Sequence, residues 1–134
     1  EIQAAILRIK LKYLDSDNQK RRDIAKFYYE NLSLHPILLP EISSNVEPVF
    51  HLFVIQVANQ NKLINFLKKK GVMAGIHYPL PVHLHPAYKG RVMHSRDMSV
   101  TESIVKKIVS LPIYPELSNS DSKIIVNALH EFFK

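Results

Sequence analysis

The side chains best suited to chemistry in this 134-residue chain are concentrated in residues 75–88, which hold three histidines, two tyrosines and three prolines. Pro79, Pro81 and Pro86 fix their own φ angles and provide no backbone N–H, so a stiff loop is predicted rather than a helix interior or a central strand. Such a loop presents imidazole and phenol groups in fixed directions, and binding and catalytic residues often lie on loops of this kind. On residue types alone, a proline-rich surface turn with incidental histidines is an equal alternative.

A metal site is one chemistry that these histidines suggest. His83 and His85 lie close together in the sequence, and His77 precedes them in the same loop. Imidazole is a good zinc ligand, but a structural zinc site needs four ligands, and a carboxylate or thiolate usually contributes. Nothing acidic lies between Glu47 and Asp97, and the chain has no cysteine. We therefore predict no metal site.

Covalent catalysis finds no support in the sequence. A lysine nucleophile needs a pKa lowered by burial or by a cationic neighbour, and the lysines fall on predicted polar helix faces or at chain ends. No Ser-His-Asp arrangement or phosphate-cradling glycine loop is evident. His51 lies within an apolar run, which favours a core or edge histidine over a catalytic one. We therefore predict no catalytic residue in this chain.

Composition bounds the class of protein. The length, with 46% hydrophobic and 22% charged residues, is typical of one globular domain. No run of about 18 apolar residues and no signal-peptide pattern is present, so we expect no membrane span. The absence of cysteine excludes disulfides and fits a cytoplasmic protein. The net charge of +6 lies partly in residues 20–22 and 68–70, which are predicted to be solvated helix faces, because no nucleic-acid-binding motif accompanies them.

The first quarter of the chain predicts a long helix. Two apolar rows at helical spacing run through residues 1–32, with a bend expected near residues 15–18, where short polar side chains compete for backbone hydrogen bonds. The rows cover enough of the circumference to predict burial on more than one side. Residues 33–48 contain three prolines and are predicted to form a connecting loop.

The middle of the chain predicts a strand, a helix and a second strand. Residues 49–57 are almost continuously apolar, which predicts a central strand covered on both faces or nearly so. A helix over 60–70 follows, with Gly71 as its C-terminal cap. Residues 72–77 then form a strand that leads into the proline loop. Together they make a βαβ-like unit, with the relative strand direction left open.

The last third predicts two more helices around a short strand. Ser99 and Glu102 match a capping box, which predicts a helix whose apolar face includes residues 104, 105, 108 and 109. A strand over 111–114 and a terminal helix capped near Ser118 complete the order. Alternation of helices and strands predicts an α/β fold of the two-layer α+β kind, a small sheet with helices mainly on one face.

Four short motifs, in order along the chain, resemble landmarks of one family. They are Glu1-Ile-Gln-Ala-Ala-Ile-Leu-Arg, Phe50-His-Leu-Phe-Val-Ile, Gly75-Ile-His-Tyr-Pro followed by Pro81 and His83, and Ser110-Leu-Pro-Ile-Tyr-Pro-Glu-Leu. Together they are similar to the C-terminal segment of the DegT/DnrJ/EryC1/StrS family, aminotransferases that use pyridoxal phosphate and act on nucleotide-linked keto-sugars. The resemblance runs the whole length of the chain. It implies the C-terminal small domain of a fold-type-I pyridoxal-phosphate enzyme.

The resemblance also implies what is expected outside this chain. Residues 1–134 would be a single C-terminal domain, with the large pyridoxal-phosphate-binding domain and its Schiff-base lysine upstream of Glu1. The full enzyme would transfer an amino group, from glutamate, to a nucleotide-linked keto-sugar in polysaccharide or glycan synthesis. It is expected to be a cytoplasmic homodimer that binds neither nucleic acid nor membrane. This chain alone is expected to be inactive.

Three residues are expected to meet the sugar substrate. His77 and Tyr78 end a predicted strand, and their polar groups can donate to hydroxyls or a carboxylate. The resemblance places this pair on the sugar side of the active site, and it places His83 at a position that contacts substrate or supports the loop.

Two alternatives stay open from the sequence. A related pyridoxal-phosphate enzyme that dehydrates the sugar would carry histidine in place of the Schiff-base lysine. A non-enzymatic regulatory or polyanion-binding domain would show a salt-sensitive affinity for nucleic acid.

Overall fold

The sheet at the centre of the fold has two antiparallel strands, each extended on its outer side by a single bridge. A computed structural model describes residues 1–33, 36–93 and 97–134. In it β1 (Phe53–Gln56) pairs with β2 (Ile108–Leu111). One bridge joins Leu38 to the end of β1, and another joins Gly75 to Ser110 of β2, both antiparallel. The segment before the proline loop therefore lies beside β2.

The helices of the described residues are α1 (Ile2–Lys10), α2 (Leu14–Leu32), α3 (Gln60–Lys69), α4 (Ser99–Ile104) and α5 (Asn119–Phe132), with 3₁₀ turns at Leu11–Tyr13 and Val82–Leu84. Of these, α2, α3 and α5 supply the helical part of the core around the sheet. Helix α5 packs against α2 and α3, and α3 packs against β2. Phe53 and Ile55 are fully buried, whereas Val54 and Gln56 are partly exposed. The predicted small sheet with helices mainly on one face is confirmed, and the partial exposure of Val54 and Gln56 shows that the second face of the first strand is nearly, not fully, covered. None of the helices within the described ranges is long and apolar enough to cross a bilayer.

Tyr28 connects α2 to the core. Its side chain is fully buried, its ring packs 5.1 Å from the ring of Phe53, and its hydroxyl donates to the carbonyl of Pro112 at 2.7 Å. Burial, with a smaller contribution from the nearby Tyr114 phenol, raises the pKa of Tyr28 well above its ordinary value. The phenol is therefore held as a hydrogen-bond donor.

The interruption of the first helix lies earlier than predicted. It is the 3₁₀ turn at Leu11–Tyr13, and the polar residues 15–18 lie inside α2. Asp15 and Asp17 occupy the first turn of α2, where negative charge is favourable to the helix dipole. The hydroxyl of Ser16 donates to the carbonyl of Tyr13 at 2.8 Å. These side chains thus stabilise the start of a second helical segment instead of breaking one.

The predicted βαβ-like unit is wrong. Strand β1 begins only at Phe53, because Phe50 has a left-handed φ of 49° that turns the chain just before it. Residues 72–77 make a single bridge and no strand. The two true strands are antiparallel, and α3 does not link parallel neighbours.

The predicted elements in the last third are shifted along the chain. Helix α4 ends at Ile104, and residues 108 and 109, assigned to its apolar face, belong to β2. The strand predicted over 111–114 ends at Leu111. The capping box is also wrong, since Ser99 is the first helical residue and its N–H donates to the carboxylate of Asp97 at 2.8 Å. Hydrogen bonds from the Ser99 hydroxyl and N–H hold the pKa of Asp97 below its ordinary value.

Two helix ends are as predicted. Gly71 follows α3 with φ of 78°, its N–H donates to the carbonyl of Lys68 at 3.1 Å, and that of Val72 donates to Leu67 at 2.9 Å. This is a Schellman motif, in which glycine tolerates the left-handed conformation. At the start of α5 the hydroxyl of Ser118 accepts from a backbone N–H three residues on, at 3.1 Å.

Helix α1 is exposed throughout. None of its residues is buried, so the predicted burial on more than one side is wrong for this chain. The exposed apolar residues here and in the following turn are Ile2, Ile6, Leu7, Ile9, Leu11, Tyr13 and Leu14. Their side chains lie outside the core cluster, which draws on α2 and later elements.

We expect the 134-residue chain to self-associate through α1, because contiguous exposed apolar surface of a few hundred Å² marks interaction sites. Replacing Ile6 and Ile9 with glutamine should shift the species toward monomer in light scattering across a concentration series. Ile124→Gln is the matched control, since Ile124 on α5 is 51% exposed. A chain that stays monomeric at the highest concentration would contradict this expectation.

Candidate functional site

A groove of about 300 Å³ opens where the segment before the proline loop lies beside β2. Its lining is His51, Leu52, Met73, Ala74, Gly75, His77, Ser110, Leu111, Pro112 and Ile113. We call it the His77 groove. It combines an apolar floor with a small number of polar groups, which is the usual make-up of a small-molecule site.

His77 is held in this groove from β2. Its Nδ1 lies 2.8 Å from the hydroxyl oxygen of Ser110, a side chain that is 5% exposed. The backbone of Ser110 also exchanges two hydrogen bonds with Gly75, at 2.8 and 3.1 Å. Because the histidine follows Gly75 by two residues, backbone and side-chain bonds fix the imidazole together. The predicted position of His77 at the end of an extended segment is consistent with this arrangement.

Tyr78 lies outside the groove. Its side chain is 84% exposed, and its backbone has a left-handed φ of 61°. This conformation is uncommon for a bulky residue and is strained. Pro79 follows directly, so the backbone turns sharply at Tyr78. The structure therefore separates His77 from Tyr78, and substrate contact by Tyr78 stays a prediction.

His83 contacts a carboxylate of α4, away from the His77 groove. Its Nε2 lies 3.0 Å from a carboxylate oxygen of Glu102 in α4, and its side chain is only 7% exposed. Of the two roles implied by the resemblance, loop support matches this burial more directly, and substrate contact stays a prediction. Within residues 1–33, 36–93 and 97–134, no group of three or more potential ligands is arranged to hold a metal ion.

His51 was missed as a groove residue. Its side chain is exposed and lines the His77 groove, so the core alternative of the predicted core or edge histidine is wrong, and His51 lies just before β1 instead of within a strand. The left-handed backbone of Phe50 turns it out of the predicted strand. An apolar run gave no signal for such a turn, because a bulky residue such as Phe rarely adopts positive φ.

Arg21 holds this rim in place. One terminal nitrogen of its guanidinium donates to the carbonyls of Ile113 at 2.9 Å, Phe50 at 3.3 Å and His51 at 3.4 Å. The basic run at 20–22 was predicted to be a solvated helix face, and for Arg21, which is partly buried, that is wrong. A planar guanidinium suits this task because it presents several donors in fixed directions.

The lysines show what the chain does not supply. Every lysine is exposed. A Schiff-base lysine needs burial or a cationic neighbour to lower its pKa, and the described residues do not offer that setting. The side chains present here therefore do not fit the covalent part of a pyridoxal-phosphate site. Fold and groove together define a domain that can contact a ligand through hydrogen bonds.

Comparison with models of protein families assigns this domain to a family. The model of the DegT/DnrJ/EryC1/StrS aminotransferase family matches residues 1–130. The chain belongs to this family.

The curated relatives are longer proteins. The dTDP-3-amino-3,6-dideoxy-alpha-D-galactopyranose transaminase of Aneurinibacillus thermoaerophilus is 39% identical over 98% of this chain and 36% of its own length. Almost the whole of this chain matches that relative, but the match covers only about a third of the relative's own length.

Solved structures agree with the fold. The S. venezuelae DesV in complex with ketimine intermediate is 36% identical, with a TM-score of 0.93 over 98% of this chain and 36% of that one. A Bacillus subtilis protein, ntda, solved with bound cofactor PMP, is 25% identical, with a TM-score of 0.77 over 91% of this chain and 29% of that one. The predicted fold is confirmed.

We expect the His83–Glu102 contact to anchor the proline loop. Glu102→Ala should increase the rate of trypsin cleavage at Lys89 and Arg91, exposed sites in the same loop, by about fivefold or less, as expected for a loss of up to about 1 kcal/mol. Glu102→Gln keeps an acceptor and should give a smaller increase.

The control is Glu131→Ala, which removes a separate contact of 2.6 Å with Lys70. It should leave cleavage in the loop unchanged. Equal cleavage in the Glu102→Ala and Glu131→Ala variants would show that the loop does not depend on the His83–Glu102 contact.

Proposed function

We propose that this chain is the C-terminal part of an aminotransferase that moves an amino group from an amino-acid donor, glutamate, to a nucleotide-linked keto-sugar in polysaccharide or related glycan synthesis. One observation carries the proposal, the similarity along 98% of the chain to a relative named as a dTDP-amino-sugar transaminase. The family match over residues 1–130 supports the same reaction class.

The cofactor of the proposed enzyme is pyridoxal 5'-phosphate. A related structure was solved with PMP bound, which supports this choice. The exposed lysines of this chain do not provide the covalent attachment. We therefore assign cofactor binding to the part of a full-length protein that corresponds to the other two thirds of the relatives. When bound, the cofactor would supply the electron sink that transamination needs.

This chain would contribute hydrogen bonds on the sugar side. His77 lines a groove with a fixed imidazole, and the adjacent Tyr78 offers an exposed phenol. A loop that is tied to β2 at Ser110 and to α4 at Glu102 can hold such groups without large movement. Orientation of this kind favours binding of a polar ligand, because less freedom is lost on association.

The proposed enzyme is a homodimer in the cytoplasm. The exposed apolar residues of α1 support an interface with another polypeptide surface. The absence of cysteine is compatible with a reducing compartment.

The first test uses a full-length enzyme that contains this chain. His77→Ala and Tyr78→Phe should each raise the KM for the keto-sugar nucleotide by roughly three- to tenfold, the loss expected for one hydrogen bond to a neutral group. The half-reaction with the amino donor should change less. Stopped-flow absorbance of the cofactor measures the two half-reactions separately.

Matched controls come from the same loop. His85→Ala and Tyr88→Phe alter exposed residues that do not line the groove. They should leave both half-reactions unchanged. If the His77 and Tyr78 variants impair both half-reactions equally, or neither, the sugar-side assignment is wrong.

The second test concerns this chain alone. Mixed with pyridoxal phosphate and reduced with borohydride, it should show only weak modification spread over exposed lysines, because none is buried. Peptide mapping measures the distribution, and a keto-sugar nucleotide with glutamate tests turnover. One lysine modified to completion, together with turnover, would contradict our placement of the covalent chemistry.

A further inference from the structure

The hydrogen bond between Ser110 and His77 can run in either direction. In one, the serine hydroxyl donates to an unprotonated Nδ1, and the imidazole carries its hydrogen on Nε2. In the other, a protonated Nδ1 donates to the hydroxyl oxygen. The separation of 2.8 Å is compatible with both. The direction decides which chemistry the ring presents to the groove.

The surroundings of the hydroxyl distinguish the two directions. Ser110 is 5% exposed, and its backbone N–H and carbonyl are both paired with Gly75. In the described parts of the chain, Nδ1 of His77 is the acceptor within reach of the hydroxyl hydrogen. If Nδ1 were the donor, this buried hydrogen would have no acceptor, which is unfavourable. When the Ser110 hydroxyl donates to Nδ1 of His77, the hydroxyl hydrogen has an acceptor and Nδ1 has a donor.

We propose that Ser110 is a positioning residue that fixes His77 in the tautomer with hydrogen on Nε2, so that the imidazole presents an N–H donor to an acceptor oxygen in the His77 groove. Across the described residues no other group forms a hydrogen bond with Nε2, which is therefore the ring nitrogen that can bind a ligand. The neutral ring then donates through Nε2 and cannot accept a proton there.

The ligand chemistry follows from this tautomer. A hydroxyl, keto or phosphate oxygen can accept a hydrogen bond from Nε2–H, whereas an ammonium or amide N–H finds no acceptor at this nitrogen. Resting on the proposed function, the acceptor is an oxygen of the keto-sugar nucleotide, and His77 acts as a hydrogen-bond donor to it and not as a base. The tautomer itself does not depend on that function.

The test of the tautomer is nitrogen NMR of the 134-residue chain labelled with ¹⁵N-histidine. The spectrum is recorded about two pH units above the ordinary histidine pKa of about 6.5, where the ring is neutral. The His77 signals are assigned by their loss in His77→Gln. Nδ1 should show the shift of an unprotonated nitrogen and Nε2 that of a protonated one, more completely than in His51, whose exposed ring is the internal reference.

Variants test the role of the serine. In Ser110→Ala the two His77 shifts should move toward those of His51, and Ser110→Thr, which keeps the hydroxyl, should restore them. Ser122→Ala is the control, since Ser122 is a buried serine whose hydroxyl donates to Ser118 within α5. A protonated Nδ1 in the unmodified chain overturns the proposal, whether or not the Ser110→Ala variant folds. Shifts unchanged in a folded Ser110→Ala variant also overturn it.

Kinetics separates this proposal from the proposed function. In the full-length enzyme Ser110→Ala should raise the KM for the keto-sugar nucleotide by up to about tenfold, with Ser110→Thr restoring it and the donor half-reaction unchanged. If the NMR result holds while the Ser110→Ala and His77→Ala variants both keep normal sugar kinetics, the sugar-side function of the groove is overturned and the Ser110 tautomer stands.

Discussion

The fold and the groove depend on hydrogen bonds that α2 makes to the backbone where the chain leaves β2. Tyr28 donates to the carbonyl of Pro112, and Arg21, about two helical turns earlier, donates to that of Ile113. The ladder of the two-stranded sheet ends at Leu111, so these carbonyls need donors from elsewhere, and buried carbonyls without donors are costly. The same guanidinium binds the bend before β1. One helix therefore holds the end of the sheet where β1 begins and β2 ends, together with one rim of the groove.

Apart from the fold class, the features that sequence analysis predicted correctly are local ones. Gly71 and Ser118 end and begin helices through bonds to neighbours within a few residues, and such bonds follow directly from residue type. The boundaries of β1 and β2 could not be predicted in this way. They depend on a left-handed Phe50 and on the distant Arg21, neither of which alters hydrophobic periodicity. The capping box failed for a similar reason, because the carboxylate of Glu102 has a partner in the proline loop.

The histidines of the proline loop show that sequence analysis was limited in the same way at the candidate site. Their spacing suggests a cluster, yet His77 is bound to β2, His83 is bound to α4, and His85 is exposed. Rigid prolines and the left-handed Tyr78 turn the chain between them, so closeness in sequence becomes separation in space. Residue types identified the loop as the place of interest. The groove itself also needed His51 and Ser110, which lie far away along the chain and became neighbours only through the sheet.

Ser110 is hard to explain by the sheet alone. By whole-residue exposure it is one of two buried polar residues in the described ranges, and the other, Ser122, serves the first turn of α5. A central position of β2, next in sequence to Val109 and Leu111, would accept a β-branched apolar residue with no hydroxyl to satisfy. Burying a hydroxyl there is favourable only if a specific partner receives its hydrogen bond. That partner is His77, so the polar residue in the strand is accounted for by the groove beside it.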